Sequence, residues 1–85
     1  MQFQGAVIKD QGVTFALVVV GEYVITNESE ANNFAKSVQP AFPNMPVVLM
    51  AQDTNGMPAY YGRRDIVDFM GTVNLESVHF QIYTV

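Results

Sequence analysis

Polar and apolar positions alternate along the first stretch of the chain and then give way to a run that is apolar on both sides. From Gln2 to Lys9, Phe3 and Val7 share one face with Gly5 while Ala6 and Ile8 lie on the other, the two-residue period of a strand. From Val13 to Val20, Val13, Phe15, Leu17 and Val19 stand opposite Ala16, Val18 and Val20, so neither face of this second strand suits water. Such a strand belongs in a sheet interior or beneath an interface. Asp10-Gln11-Gly12 joins the two as an antiparallel hairpin, with glycine where a positive φ is needed. Gly21 predicts a bend or bulge before Tyr23-Val24-Ile25.

The period then lengthens. Ala31, Phe34, Ala35 and Val38 recur at i, i+3, i+4, i+7 behind Asn27, a capping residue with Glu30 three positions on, and Pro40 closes the helix. Glu28 and Glu30 near its start and Lys36 near its end agree with the helix dipole. Pro46 to Met70 next reads as strand, tight turn, strand, helix. Val47 to Ala51 is an apolar run, Asp53-Thr54-Asn55-Gly56 supplies turn residues, and Met57 to Gly62 returns toward a helix beginning near Arg63. Pro58 cannot donate a ladder bond, which predicts an edge or a strand start. Ile66, Val67, Phe69 and Met70 give the second helix its apolar face, and Gly71 stops it. From Val78 to Val85 the alternation is clean, with Val78, Phe80 and Ile82 facing inward and His79, Gln81 and Tyr83 facing water.

The element order is therefore ββαββαβ. The path from second strand through helix to third strand is long enough for a right-handed crossover, making those strands parallel. Residues 1–85 are expected to form a single small domain of α+β (mixed α/β) class. Its predicted architecture is a two-layer sandwich, a mixed sheet of about five strands with two helices covering one face. The other face of the second strand then awaits a cover, and a second copy of the chain is the expected one; pairing through the terminal strand is the other expected geometry.

Between Phe42 and Met70 the proline-led strand, turn, strand ending in glycine, and helix resembles the C-terminal half of thioredoxin-like domains. That family's redox chemistry needs a Cys-x-x-Cys pair, which this chain lacks, and the N-terminal hairpin departs from the family's order. No activity is carried over.

Composition sharpens the picture. Only 14% of residues are charged while 49% are hydrophobic, against about 25% charged in a typical soluble domain. A chain this short buries only about 60–65% of its unfolded surface, so apolar surface is expected to remain for a protein contact. Net charge is −4, and Lys9, Lys36, Arg63 and Arg64 are the only full positive charges, too few for a phosphate-tracking surface. Nucleic acid is not an expected partner. The absence of cysteine excludes disulfides, thiolate metal sites and cysteine nucleophiles, and fits a reducing compartment. No bilayer-length apolar run or signal-like N-terminal pattern is present, so no membrane association and a cytoplasmic location are expected.

The sharpest constellation is Tyr60-Tyr61-Gly62-Arg63-Arg64 at the junction of the fourth strand and second helix. Free N–H groups at a helix start together with two guanidiniums could hold a phosphate or carboxylate. Against this, Arg64 can pair with Asp68 at i, i+4 and Asp65 can offset the dipole, leaving both arginines solvated. Tyr60 and Tyr61 alternate, so one ring is expected to face the helices and the other to face away. Met45, Met50 and Met57 could form an adaptable surface or fill core gaps. His79 is the only side chain that titrates near neutrality without a shift, yet it has no neighbour at metal-ligand spacing. Asp53 and Asn55 read as turn chemistry, and Ser29, Ser37 and Ser77 lie in no nucleophile turn. No cofactor is expected. The favoured role is a non-enzymatic interaction module that self-associates as a homodimer or meets another protein. The alternative is an anionic-ligand binding protein or enzyme using Tyr60, Tyr61, Arg63 and Arg64, with His79 as proton carrier.

Overall fold

The computed structural model describes all residues from Met1 to Val85. β1 (Gln2–Asp10) and β2 (Val13–Val19) pair antiparallel, with Asp10 opposite Val13. Two residues make the turn between them, Gln11 at φ 52° and Gly12 at φ 79°. Consecutive positive φ values give a turn whose twist matches the strands; glycine adopts one freely, and Gln11 carries the strain of the other.

After β2 the chain coils instead of extending. Glu22–Ile25 forms a single helical turn, α1, that buries Val24. In α2 (Glu28–Val38) the Asn27 Oδ1 accepts the Glu30 N–H at 3.2 Å, as its spacing predicts. A 3-10 turn at Gln39–Ala41, carrying Pro40, leads the chain out. β3 (Val47–Gln52) then lies parallel to β2, with Val48 beside Leu17 and Leu49 beside Val18. The parallel pairing expected across the intervening helix is present. Asp53 Oδ1 accepts the N–H groups of Asn55 and Met57 at 2.8 and 3.0 Å, so a side chain shapes the turn into β4 (Pro58–Tyr61). Pro58 both starts that strand and sits on an edge of the sheet. α3 (Arg64–Phe69) is followed by 3-10 turns at Met70–Thr72 and Leu75–Ser77 and by β5 (Gln81–Thr84), antiparallel to β1. The sheet is mixed and five-stranded, in the order β4-β3-β2-β1-β5.

The two main helices lie on opposite faces, not on one. Ala16, Val18 and Leu49 pack with Val24, Ala31, Val38 and Phe42 on the α2 face. Phe15, Leu17 and Val48 pack with Ile66 and Met70 on the α3 face. Successive side chains of β2 point to opposite sides, and Phe15, Ala16, Leu17 and Val18 are all 0% exposed. A strand apolar on both faces needs two layers over it, and the chain supplies both. The cover expected from a second copy is provided by α3 and the segment after it, where Val73, Leu75, Val78 and Phe80 also pack.

Phe42 reaches over the sheet onto β1 because Gly5 leaves room; a Cβ there would lie 3.3 Å from the Phe42 ring. The same ring meets Phe3 and Tyr83 edge-on, at centroid distances of 5.9 and 4.7 Å. This aromatic group overturns the expectation at the end of the last strand, where Tyr83 turns inward and Ile82 outward, while Val78 and Phe80 pack inward and His79 and Gln81 are exposed as expected. Tyr83 stacks on Phe3 at 5.6 Å, whereas Ile82 is 61% exposed. At this edge of the sheet the α2 face offers rings to stack on, while beneath Ile82 the cross-strand neighbour is the exposed Gln4. The strand is also shorter than its alternation predicts. Asn74 caps the turn at Leu75–Ser77, its Oδ1 accepting the Glu76 N–H at 3.0 Å, and regular pairing begins only at Gln81. No helix is long and apolar enough to cross a membrane.

Candidate functional site

The residues singled out by sequence do not converge. Tyr60 and Tyr61 point to opposite faces of edge strand β4, and both are half-buried rather than one turning outward into solvent. Tyr61 packs on the α2 face and its hydroxyl donates to Asn32 Oδ1 at 2.9 Å. Tyr60 packs on the α3 face, where desolvation holds its phenol pKa above the ordinary tyrosine value. Arg63 donates through Nε and Nη2 to the two carboxylate oxygens of Asp65, at 3.2 and 2.7 Å. That bidentate hydrogen bond raises the guanidinium pKa and lowers the Asp65 carboxyl below its usual value.

Both partners of the pair are exposed, and Arg64 forms no ion pair with Asp68. α3 has only six residues, and neither arginine lines a cavity. His79 sits beyond β5, at the opposite edge of the sheet from β4, so it is not a neighbour of the arginines. The three methionines are dispersed as well: Met45 packs on the α2 face, Met50 on the α3 face, and Met57 is exposed. No group of three or more His, Asp or Glu side chains is placed to hold a metal ion.

The chemistry that the fold does assemble lies along β1 and β5. β1 runs from Gln2 to Asp10, but β5 pairs only with Gln2 to Gly5. Met1 and Val85 exchange both backbone bonds, at 2.9 and 3.0 Å, which sets the alternation along the ladder. Odd-numbered residues of β1 thus direct N–H and C=O toward β5, and even-numbered ones toward β2. Beyond Gly5 the groups of Val7 and Lys9 continue outward with no hydrogen-bond partner in the chain. A cavity of about 490 Å³ opens beside them, bounded across by the segment from Val73 to His79. Its walls include Val7, Lys9 and Tyr83 from the α2 side and Ile8, Asp10 and Val78 from the α3 side. It therefore lies in the plane of the sheet, where a longer β5 would run.

The outer edge of β5 is bare too. By the same alternation Ile82 and Thr84 direct their N–H and C=O groups away from β1, and no strand lies beyond. Ile82 is exposed on this strand, and Met1 and Val85 are exposed at the end of its ladder with β1. From Gln81 to Val85 no side chain is charged and none is proline. Sequence reasoning raised the terminal strand as a pairing edge but assigned Ile82 to the core, and it did not single out the open groups of Val7 and Lys9. No family model, curated protein or solved structure matches the chain.

Proposed function

We propose that this chain is a non-enzymatic protein-interaction module that self-associates by pairing the outer edge of β5 with β5 of a second copy. The supporting observation is the character of that edge: outward N–H and C=O groups at Ile82 and Thr84, no charge, no proline, and an exposed Ile82 beside them. Edge strands in monomers are generally protected by charge, proline or a covering element. β4 carries such protection in Pro58, whereas β5 has neither charged side chain nor proline and is limited only by its four-residue length. Antiparallel pairing of an edge with itself also satisfies the two-fold symmetry of a homodimer. Because the chain carries a net charge of −4, an edge without charged side chains is where two copies approach with little repulsion. The anionic-ligand alternative at Tyr60 to Arg64 draws no comparable support, since Arg63 is engaged by Asp65 and no cavity holds either arginine.

Thr84→Pro tests the proposal. It deletes an outward donor while leaving the Tyr83 and Gln81 bonds to β1 in place. Sedimentation over a tenfold concentration range is expected to show a wild-type dimer and a monomeric, folded variant. A wild-type monomer throughout, or a variant dimer of undiminished affinity, would overturn it.

A further inference from the structure

We infer that the open half of β1 is a second, separate docking site, which takes an extended peptide by strand addition. The unmet hydrogen-bonding groups of Val7 and Lys9 alternate along one edge, the spacing that an extended backbone satisfies. From Val7 to Asp10 the edge offers about 14 Å, room for four residues of strand. The cavity is in the sheet plane and is walled from both faces, so an occupant's side chains would pass alternately to the α2 and α3 sides. A globular ligand has no use for that alternation; a strand does.

Side-chain character narrows the occupant. Lys9 lies on the α2 side with Val7, and Asp10 lies on the α3 side with Ile8. An antiparallel peptide continuing the direction of β5 meets Asp10 first, then Lys9, Ile8 and Val7. Charge complementarity at the first two positions and apolar cross-strand pairing at the last two give the order basic, acidic, apolar, apolar. β-branched residues suit the apolar positions because they favour extended backbone.

The test uses the synthetic peptide acetyl-Thr-Lys-Glu-Val-Val-Thr-amide and backbone amide spectra of the wild-type protein. In the free protein, Val7 and Lys9 amides are expected to exchange with solvent much faster than those of Ala6 and Ile8, which bond to β2. Peptide should shift the Val7 and Lys9 amides and slow their exchange. N-methylation of the peptide residue opposite Val7 removes one ladder bond and should weaken binding by about tenfold, while N-methylation opposite Ile8 should leave it nearly unchanged. Exchanging the Lys and Glu of the peptide should also weaken it.

Protected Val7 and Lys9 amides in the free protein would overturn the inference, as would their indifference to millimolar peptide. Peptide shifts confined to Ile82 and Thr84 would also overturn it, and would locate the peptide on the outer edge of β5. Concentration-dependent protection of Val7 and Lys9 without peptide would overturn it in favour of a second copy in the notch. Since Thr84→Pro reports only on the β5 edge, failure of either site leaves the other separately testable.

Discussion

Truncating one leucine on each face of the sheet asks whether the molecule has two cores. Leu17 points to the α3 face and Leu49 to the α2 face, and both are 0% exposed. Leu→Ala removes three carbons, about 2.4 kcal/mol at ~0.8 kcal/mol per buried methylene. A cavity that closes only in part brings the usual cost to roughly 2–5 kcal/mol. For 85 residues the total stability is of order 4–13 kcal/mol at ~0.05–0.15 kcal/mol per residue, so either change consumes a large share. Urea unfolding followed by far-UV circular dichroism, at two protein concentrations, measures both variants against wild type. Each should lose about 2–5 kcal/mol, and the difference from wild type should not depend on concentration. If Leu17→Ala cost under ~1 kcal/mol, or if its cost vanished on dilution, the α3 face would not be a core of the single chain, and the two-faced architecture would be wrong.

Two further substitutions probe single residues. Gln11→Asn places a residue that tolerates positive φ beside Gly12, and thermal unfolding should show a gain of roughly 0.5–1 kcal/mol; no gain would mean that Gln11 is unstrained. Burial raises the folded-state pKa of Tyr60, so its stabilising contribution is complete below the ordinary tyrosine value near 10 and is lost as pH rises through the folded value. Tyr60→Phe should therefore leave neutral stability almost unchanged and make the alkaline fall in Tm shallower than in wild type. Parallel alkaline slopes would remove Tyr60 as a contributor.

Much of the fold is legible in the residues because their signals are local. Asn27 with Glu30, the Gly12 turn, the Asp53 turn and the proline that begins β4 each act within a few positions, and each is found in place. The parallel pairing of β2 with β3 follows from the helix between them. The faces of the sheet are a different matter, since a connecting segment can cross either side and its apolar residues do not record which. The doubly apolar β2 did record that two covers were needed, and α3 with its following turns is the second of them. Tyr83 and Ile82 show the same limit at one strand. Alternation puts them on opposite faces, but only Phe3 and Phe42, distant in sequence, decide which face is inside. The candidate site was least legible, because unsatisfied backbone groups at Val7, Lys9, Ile82 and Thr84 depend on where pairing stops, which no side chain announces.

Residue-resolved amide exchange of the wild-type protein, compared between a dilute and a tenfold more concentrated sample, tests the proposed self-association most directly. Pairing through β5 predicts that the Ile82 and Thr84 amides become protected as concentration rises, while Gln81 and Tyr83, already bonded to β1, stay protected in both samples. Ile82 and Thr84 amides that exchange equally fast in both samples would contradict it.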